Sequence, residues 1–273
     1  MRNITIPTII AESTFENISN SKKGHQATLK ALKSDLFKRY SIYEGNVQKL
    51  EDITPSDRFS VSDKEALLHC YEVGTKPLEA LKVAIFNTLG DIGKSYCPYC
   101  LISEPRTIDH YLPKELFPEF SVLPINLIPC CFDCNNTRGK KWLTGSNRNT
   151  INTYFDAIEN KRFLYASFDV KDEIPQVVFS LKNEEGIPEY IFEIIESHFD
   201  TFKLQARYRN QINSIVSEIY SRFSQPKHKL LTDQEKQELL LEEVKSNQAN
   251  NGKNYWKAVV IEALASSEFL IKN

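Results

Sequence analysis

The spacing of the cysteines constrains this chain more than any other feature. Five of the six cysteines lie between residues 97 and 134, and four of these form two C-x2-C pairs, Cys97 with Cys100 and Cys131 with Cys134. A disulfide scaffold would distribute its cysteines to connect distant segments, whereas two short pairs bring four thiolates around one tetrahedral Zn²⁺. We therefore predict a structural zinc site on these four residues.

The other two cysteines leave one alternative open. Cys130 could replace Cys131 as a ligand through a C-x3-C turn, although the spacing of Cys131 mirrors that of the first pair. Cys70 lies on the apolar face of a predicted helix, so we expect it to be an ordinary core residue.

Composition and charge narrow the class of protein. The chain has 273 residues with 34 Lys and Arg against 36 Asp and Glu, a formal net charge of -2. This balance excludes a highly basic nucleic-acid coat, so any positive charge that contacts phosphates must be local. The sequence shows neither a long apolar run nor a signal-peptide pattern, so we expect a cytoplasmic protein with no membrane partner.

Hydrophobic periodicity and breaker residues predict three regions and an α+β fold that is mainly α-helical. Residues 1–94 form an N-terminal helical region, and residues 95–147 form a metal-dependent core with little helical period. Residues 148–273 form a C-terminal region that contains a short β-hairpin and helices.

Local signals refine the first of these regions. Residues 1–20 have no clear period, which favours a flexible or docking arm. Helical spacing runs from Gly24 to about Leu50, and lysines and arginines between Lys22 and Arg39 form either a solvated helix face or a phosphate-binding edge. Ser62 and Glu65 match a capping box for the next helix.

In the third region, strand and cap signals are the clearest. The segments 162–170 and 176–181 are rich in Phe, Val and Tyr and predict two strands of a hairpin. Thr232 with Glu235 predicts a helix start, and a final helix is expected over residues 255–270.

Polar residues with catalytic potential lie within and just after the segment between the two cysteine pairs. Asp109 offers a carboxylate suited to Mg²⁺, and His110 can take up a proton near neutral pH. Neighbours on a strand point to opposite faces, so both can line one surface only if the strand bends or a cleft wraps its end. Asn135 offers a neutral oxygen for the same metal, with Asn136 as the alternative donor.

Taken in order, these motifs resemble the HNH endonuclease family, which has the ββα-metal or His-Me finger fold, often braced by a four-cysteine zinc site. The match consists of a cysteine pair, Asp109-His110-x-x-Pro113, Asn126, and a second pair that continues as Cys134-Asn135-x-x-Arg138. The rest of the chain is more weakly similar to bacterial HNH proteins of mobile elements and phage defence.

The resemblance implies a role for each matched residue. His110 would be the general base, Asp109 and Asn135 would hold the catalytic Mg²⁺ or Mn²⁺, and Asn126 would order the loop and help to hold the histidine. The last position is usually His and is Asn here, which favours Mg²⁺ over Zn²⁺ at the catalytic site. Flanking phosphates would be contacted by three basic residues, Arg138, Lys140 and Lys141.

The implied activity is hydrolysis of phosphodiester bonds in DNA, as an effector of bacterial anti-phage defence. One active site cuts one strand at a time, so a double-strand break would require a homodimer or another partner. The resemblance suggests a partner ATPase or other defence subunit, because the chain has no P-loop motif of its own.

Two alternatives remain. A non-catalytic zinc module that docks nucleic acid or protein would explain the cysteines and lysines, but not Asp109, His110 and the asparagines. A toxin-like nuclease that cleaves RNA would use aromatic stacking platforms, for which Tyr99, Tyr111 and Trp142 lie close in sequence. We expect Tyr99 to be knuckle scaffolding and Trp142 to pack beneath the site.

Overall fold

The chain divides into two compact units in the computed structural model, which describes residues 1–158, 161–171 and 174–267. The N-terminal unit comprises Asn3–Asp156, and the C-terminal unit comprises Ala157–Asn273 together with Met1–Arg2. Apart from Met1 and Arg2, the two regions predicted over residues 1–94 and 95–147 thus lie in the N-terminal unit. The region predicted to begin at residue 148 also starts within the N-terminal unit.

The N-terminal unit combines helices with two small antiparallel sheets. Its helices are α1 (Ala11–Ser21), α2 (Gln26–Gly45), α3 (Val61–Glu72), α4 (Lys76–Asn87), α5 (Gly90–Gly93) and α6 (Phe132–Arg138). Its strands are β1 (Thr107–His110), β2 (Leu127–Cys130), β3 (Leu143–Thr144) and β4 (Asn147–Arg148). Short 3-10 turns occupy Leu50–Asp52, Pro118–Phe120 and Pro124–Asn126.

Of the two alternatives predicted for residues 1–20, a flexible or a docking arm, the structure shows a docked segment. Residues 11–21 form α1, which packs against α2 and α4 through the buried side chains of Phe15 and Ile18. These apolar positions recur at helical spacing, but the stripe is too short to stand out in the sequence. The segment before α1 is also docked, since the backbone N–H of Ile4 donates to the carbonyl of Thr153 at 3.0 Å.

Helix α3 begins two residues earlier than the predicted capping box. The side chain of Ser60 accepts from the backbone N–H of Asp63 at 3.2 Å, and the carboxylate of Asp63 accepts from the N–H of Ser60 at 2.9 Å. Both this pair and the Ser62–Glu65 pair fit the capping-box pattern, so spacing alone did not distinguish them.

Strands β1 and β2 pair antiparallel and are followed directly by α6. Asp109 lies opposite Ile128 and His110 lies opposite Leu127, so His110 is the last residue of its strand. The segment between the strands is largely buried except around residues 114–116, and Phe117 and Phe120 pack against each other at 6.0 Å. Helix α3 packs on the turn at Pro118–Phe120, which places the end of β1 beside that helix.

Over its described residues, the C-terminal unit contains one hairpin and four helices. Strands β5 (Leu164–Lys171) and β6 (Ile174–Leu181) pair antiparallel, as predicted. The helices are α7 (Glu189–Thr201), α8 (Leu204–Phe223), α9 (Asp233–Asn251) and α10 (Trp256–Ala265). Thr232 and Glu235 form the predicted capping box of α9. The predicted end of the final helix, residues 268–270, lies outside the described residues.

The core of the C-terminal unit is centred on α10, which is buried along most of its length and packs against α9 and β5. The predicted fold class, α+β and mainly helical, is confirmed: helices dominate the described residues, and the sheets are small and antiparallel. Among those residues, no helix is both long and apolar enough to cross a membrane.

Candidate functional site

The four cysteines of the two C-x2-C pairs converge at one point. Cys97, Cys100, Cys131 and Cys134 are buried, and their sulfur atoms all lie within 4.8 Å of one another. The Sγ atoms of Cys100 and Cys131 are 3.8 Å apart. A tetrahedral ion with bonds of about 2.3 Å to sulfur requires neighbouring sulfurs about 3.8 Å apart. The four thiols therefore fit a structural metal ion such as Zn²⁺.

Each cysteine pair is formed by a tight local turn. In the first, the N–H of Leu101 donates to the carbonyl of Cys97 at 2.8 Å, and Leu101 has a φ of 56°. In the second, Cys131 is the N-cap of α6 and Cys134 lies in its first turn. Such turns direct both sulfurs of a pair to the same side, as metal binding requires.

The two cysteines outside the cluster have other surroundings. Cys130 ends β2, and its sulfur lies 3.5 Å from Oγ1 of Thr107, so the geometry places Cys131 and not Cys130 with the other three thiols. Cys70 is buried in α3 with its sulfur 3.5 Å from the carbonyl of Ala66, and burial raises the pKa of its thiol to about 12. Cys70 is thus an inert core residue.

Asp109, His110 and Asn135 line one cleft of about 340 Å³ at the end of β1. The sequence prediction required a bent strand or a cleft that wraps the strand end, and the second arrangement is present. Asp109 and Asn135 contribute side-chain oxygens, which are the ligands that Mg²⁺ prefers. The cleft thus brings together a carboxylate, an imidazole and an amide.

His110 is held by a backbone carbonyl. Its Nε2 lies 2.9 Å from the carbonyl oxygen of Ser121, and its ring packs edge-on against the ring of Tyr71 at 4.3 Å. A carbonyl only accepts hydrogen bonds, so Nε2 carries the proton and Nδ1 of the neutral ring keeps its lone pair. Burial is the main cause that lowers the pKa of His110 to about 4, so the ring is neutral at pH 7.

Asn126 fixes the loop that follows His110. Its Oδ1 accepts from the N–H of Leu112 at 2.7 Å, and its Nδ2 donates to the carbonyls of Leu112 at 3.1 Å and Phe120 at 3.2 Å. The hydroxyl of Tyr43 donates to the same Oδ1 at 3.2 Å. Asn126 is fully buried and does not reach the cleft, so its role is to order the loop.

The carboxylate of Asp109 is held on one side by two partners. Nη1 of Arg138 donates to its Oδ2 at 2.6 Å, and the hydroxyl of Tyr99 donates to the same oxygen at 3.0 Å. Within the described part of the chain, Oδ1 of Asp109 has no hydrogen-bond partner. Tyr99 lies between the first two cysteines, so it links the metal-binding turn to the cleft and is more than knuckle scaffolding.

The predicted contact between Arg138 and phosphate does not fit the structure. Arg138 is 1% exposed, and besides Asp109 it donates to Thr150 Oγ1 at 3.2 Å, to the His110 carbonyl at 2.9 Å and to the Tyr111 carbonyl. Its position four residues after Cys134 directs it inward from α6. The sequence showed a basic residue, but not that its partners would be internal.

Other basic residues remain at the cleft. Lys140 is exposed and lines it together with Lys114, which sequence reasoning missed and which forms an ion pair with Glu72 at 2.5 Å. Lys141 is exposed next to it. Asn135 is half-buried at the cleft and its Nδ2 lies 3.4 Å from the carbonyl of Ile108, which leaves Oδ1 for a metal.

The alternative donor, Asn136, is exposed and is not part of the cleft wall among the described residues. Sequence reasoning also missed Tyr71 and Ser121. Neither belongs to a recognisable motif, because Tyr71 reaches the site from α3 and Ser121 reaches it from the loop before β2. Only the packing of distant segments reveals such residues.

The basic stretch between Lys22 and Arg39 does not form a phosphate-binding edge at its two ends. Lys22 is buried and donates to the carbonyl of Val73. Arg39 pairs with the buried Glu119 at 2.8 Å. Lys33 and Lys38 are exposed and form ion pairs with Glu16 and Asp35. The ends of this stretch therefore join structural elements, and its middle is a solvated helix face.

Comparison with known proteins assigns no family to the chain. No family model matches the chain, and no solved structure matches it. The chain is similar to protein ea31 of Escherichia phage lambda, with 30% identity over 184 residues that cover 63% of this chain and 62% of that protein. The match therefore spans less than two thirds of the length of that relative.

Proposed function

We propose that this protein is a metal-dependent endonuclease of the HNH type that hydrolyses phosphodiester bonds in DNA. One observation supports this most strongly. A strand, a second strand and a helix bring Asp109, His110 and Asn135 to one cleft, directly beside four cysteines that fit a structural zinc ion. A docking module that only binds a partner would not require these three side chains to converge.

His110 would act as the general base. Its Nε2 is engaged by the Ser121 carbonyl, so the lone pair on Nδ1 is available to take a proton from the water that attacks phosphorus. The edge contact with Tyr71 fixes the ring from a second direction. Such fixation matters because a general base must be held within hydrogen-bond reach of the proton it removes.

Two metal sites have separate functions in this proposal. The four cysteines would hold Zn²⁺, which contributes to folding directly. Asp109 and Asn135 would hold Mg²⁺ or Mn²⁺, which when bound offsets the negative charge that develops on the scissile phosphate. Lys140, with Lys141 beside it, would contact neighbouring phosphates from the rim.

Burial of Tyr99, Tyr111 and Trp142 removes the sequence argument for an RNA substrate. Tyr99 and Tyr111 are 0% and 1% exposed, and Trp142 is 8% exposed and packs edge-on against Phe117 at 5.3 Å. Side chains buried in this way offer no face on which unpaired bases could stack, which is how single-stranded RNA is commonly recognised. The observation that pointed to RNA is thus removed.

The setting in the cell is a separate part of the proposal. The HNH resemblance suggests an effector of anti-phage defence that acts with a partner ATPase, another defence subunit or a second copy of itself. The similar protein ea31 is encoded by a bacteriophage, so this similarity agrees equally with a protein that acts for the bacterial host and with one that acts for a phage.

A cleavage assay on the full-length protein tests the activity. We expect the protein to nick supercoiled plasmid in the presence of Mg²⁺ and to be inactive in EDTA, with linear DNA, single-stranded DNA and RNA as parallel substrates. The variant His110→Ala should lower the rate about 10²–10⁴-fold, the usual contribution of a general base. Its zinc content should stay unchanged, and the variant should remain folded.

The matched control is His228→Ala, since His228 lies in the C-terminal unit and its Nδ1 is 2.8 Å from the carbonyl of Arg222. This control should cleave at the wild-type rate. Equal cleavage by His110→Ala and wild type would refute the assignment. DNA binding without cleavage in any divalent metal would favour the docking module, and cleavage of RNA alone would favour the toxin-like nuclease.

A further inference from the structure

We propose that Tyr99 is a positioning residue that, together with Arg138, fixes the carboxylate of Asp109 so that it presents Oδ1 alone to the catalytic metal ion. This inference rests on the proposed function, because it assigns a role within the same site. It assigns a role at the cleft to a residue that lies, by sequence, between two cysteines of the four-cysteine cluster.

The hydrogen bonds around Asp109 carry the inference. Both donors, Nη1 of Arg138 at 2.6 Å and the hydroxyl of Tyr99 at 3.0 Å, point to Oδ2. Two donors on one oxygen fix the rotation of the carboxylate about its last side-chain bond, so Oδ1 is directed away from them. A carboxylate held in this way binds a cation through one oxygen rather than two.

The position of Tyr99 in the chain explains how it is held. Tyr99 lies between Cys97 and Cys100, whose sulfurs belong to the four-cysteine cluster, and its own side chain is completely buried. Its ring therefore cannot move without disturbing the turn that binds the structural metal. The cluster would thus set the orientation of a ligand of the catalytic metal, as well as stabilise the fold.

The ion pair between Asp109 and Arg138 lowers the net negative charge that the site offers to a cation. Arg138 neutralises much of the charge of Asp109, because both side chains are buried at 0% and 4% exposure in a contact of 2.6 Å. Asn135 adds a neutral ligand, so the protein alone offers the cation little net negative charge. Orientation of the single free oxygen then contributes a large share of the affinity, and partners of this kind typically affect affinity or activity by 10–100-fold.

The test is the variant Tyr99→Phe, which removes one hydroxyl and retains the ring. We measure Mn²⁺ binding to the zinc-loaded, full-length protein by electron paramagnetic resonance, and the Mg²⁺ concentration that gives half-maximal cleavage. Both constants should rise at least about 10-fold, the lower end of the typical effect of such partners. Zinc content should stay at the wild-type value.

The matched control is Tyr154→Phe. Tyr154 is a buried tyrosine of the same unit, and its hydroxyl donates to the carbonyl of Leu127 at 2.7 Å, without contact to Asp109. It loses a comparable hydrogen bond, so it should change melting temperature by a similar amount and leave both metal constants unchanged.

The outcomes separate this inference from the proposed function. Wild-type metal constants in Tyr99→Phe would overturn the positioning role even if the protein cleaves DNA. Equal shifts in both tyrosine variants would also overturn it, because they would reflect general destabilisation. A shift in Mn²⁺ binding confined to Tyr99→Phe would support it even if no nucleic acid is cleaved, and no Mn²⁺ binding by the wild type would refute both.

Discussion

The two units of this protein stabilise their interiors in different ways. The N-terminal unit buries charged side chains: Lys22, Asp109, Glu119, Arg138, Arg148 and Asp156. In the described residues of the C-terminal unit, the buried polar side chains are His198 and Asn254. There the core consists of apolar helix faces, with Ala258, Ile261 and Leu264 of α10 completely buried.

This difference reflects what each unit has to hold in place. Between residues 95 and 156 the chain forms only short strands, turns and the seven-residue helix α6. Hydrogen bonds and ion pairs therefore add to the apolar packing of this segment, and the four cysteines could add a metal ion. Those same polar groups orient the side chains at the cleft. In the described residues of the C-terminal unit, burial of apolar surface makes up most of the core. Four predictions test this comparison.

The largest effect is expected from loss of a cysteine ligand. Cys97→Ser or Cys134→Ser should abolish zinc binding and cause misfolding or aggregation, because a structural zinc ion contributes roughly 10–16 kcal/mol of apparent binding free energy to folding. Zinc analysis and thermal unfolding followed by circular dichroism measure this. Cys130→Ser is the control and should retain zinc, since Cys130 is buried beside the cluster but outside it. Soluble, zinc-free Cys97→Ser with the wild-type melting curve would contradict the prediction.

A smaller loss is expected from a buried ion pair. Arg148 donates through Nη1 to both carboxylate oxygens of Asp156, at 3.1 and 3.0 Å, and both side chains are completely buried. Arg148 also pairs with Glu51 at 2.8 Å, so Arg148→Met leaves two carboxylates without their cationic partner and should lower the free energy of unfolding by about 3–5 kcal/mol. Arg106→Met, at an exposed pair with Glu104, should change it by less than about 1 kcal/mol. Urea denaturation of both variants distinguishes buried from exposed pairing.

In the C-terminal unit, a similar loss should come from an apolar deletion. Leu264 is 0% exposed in α10, so Leu264→Ala leaves a cavity and should destabilise by about 2–5 kcal/mol. Zinc content should not change. Glu238→Ala on the exposed face of α9 should stay within about 0.5 kcal/mol of the wild type in the same denaturation experiment. A tolerated Leu264→Ala would mean that the apolar core is not what stabilises this unit.

The smallest effects should be equal in the two units. Ser60 and Thr232 each form an exposed capping box, one in each unit, with the same reciprocal hydrogen bonds. Ser60→Ala and Thr232→Ala should each cost about 1 kcal/mol, because capping depends on the local backbone and not on the core behind it. Unequal values in thermal unfolding would show that one cap also depends on its tertiary surroundings.

Features that depend on neighbours in the sequence were predicted well. The hairpin over residues 162–181, the start of α9 at Thr232 and the mainly helical class are all confirmed. For residues 1–20 the sequence did not decide between a flexible and a docking arm and did not predict α1, because the apolar stripe of α1 is short and its burial depends on α2 and α4. Ser60 rather than Ser62 caps α3, a choice between two registers that local chemistry did not separate.

The sequence by itself determined that four thiols in two C-x2-C turns would offer a metal site, because each turn is local and directs both sulfurs to one side. It also indicated the metal-binding carboxylate Asp109, the general base His110 and the amide Asn135 of the proposed nuclease. Only the tertiary structure decided that Cys131 and not Cys130 joins the cluster, that Arg138 turns inward, and that Tyr99 reaches Asp109. These three features depend on which segments meet at the end of β1. Hydrogen bonds between separate segments produce no periodic pattern in the sequence, so the sequence could not predict them.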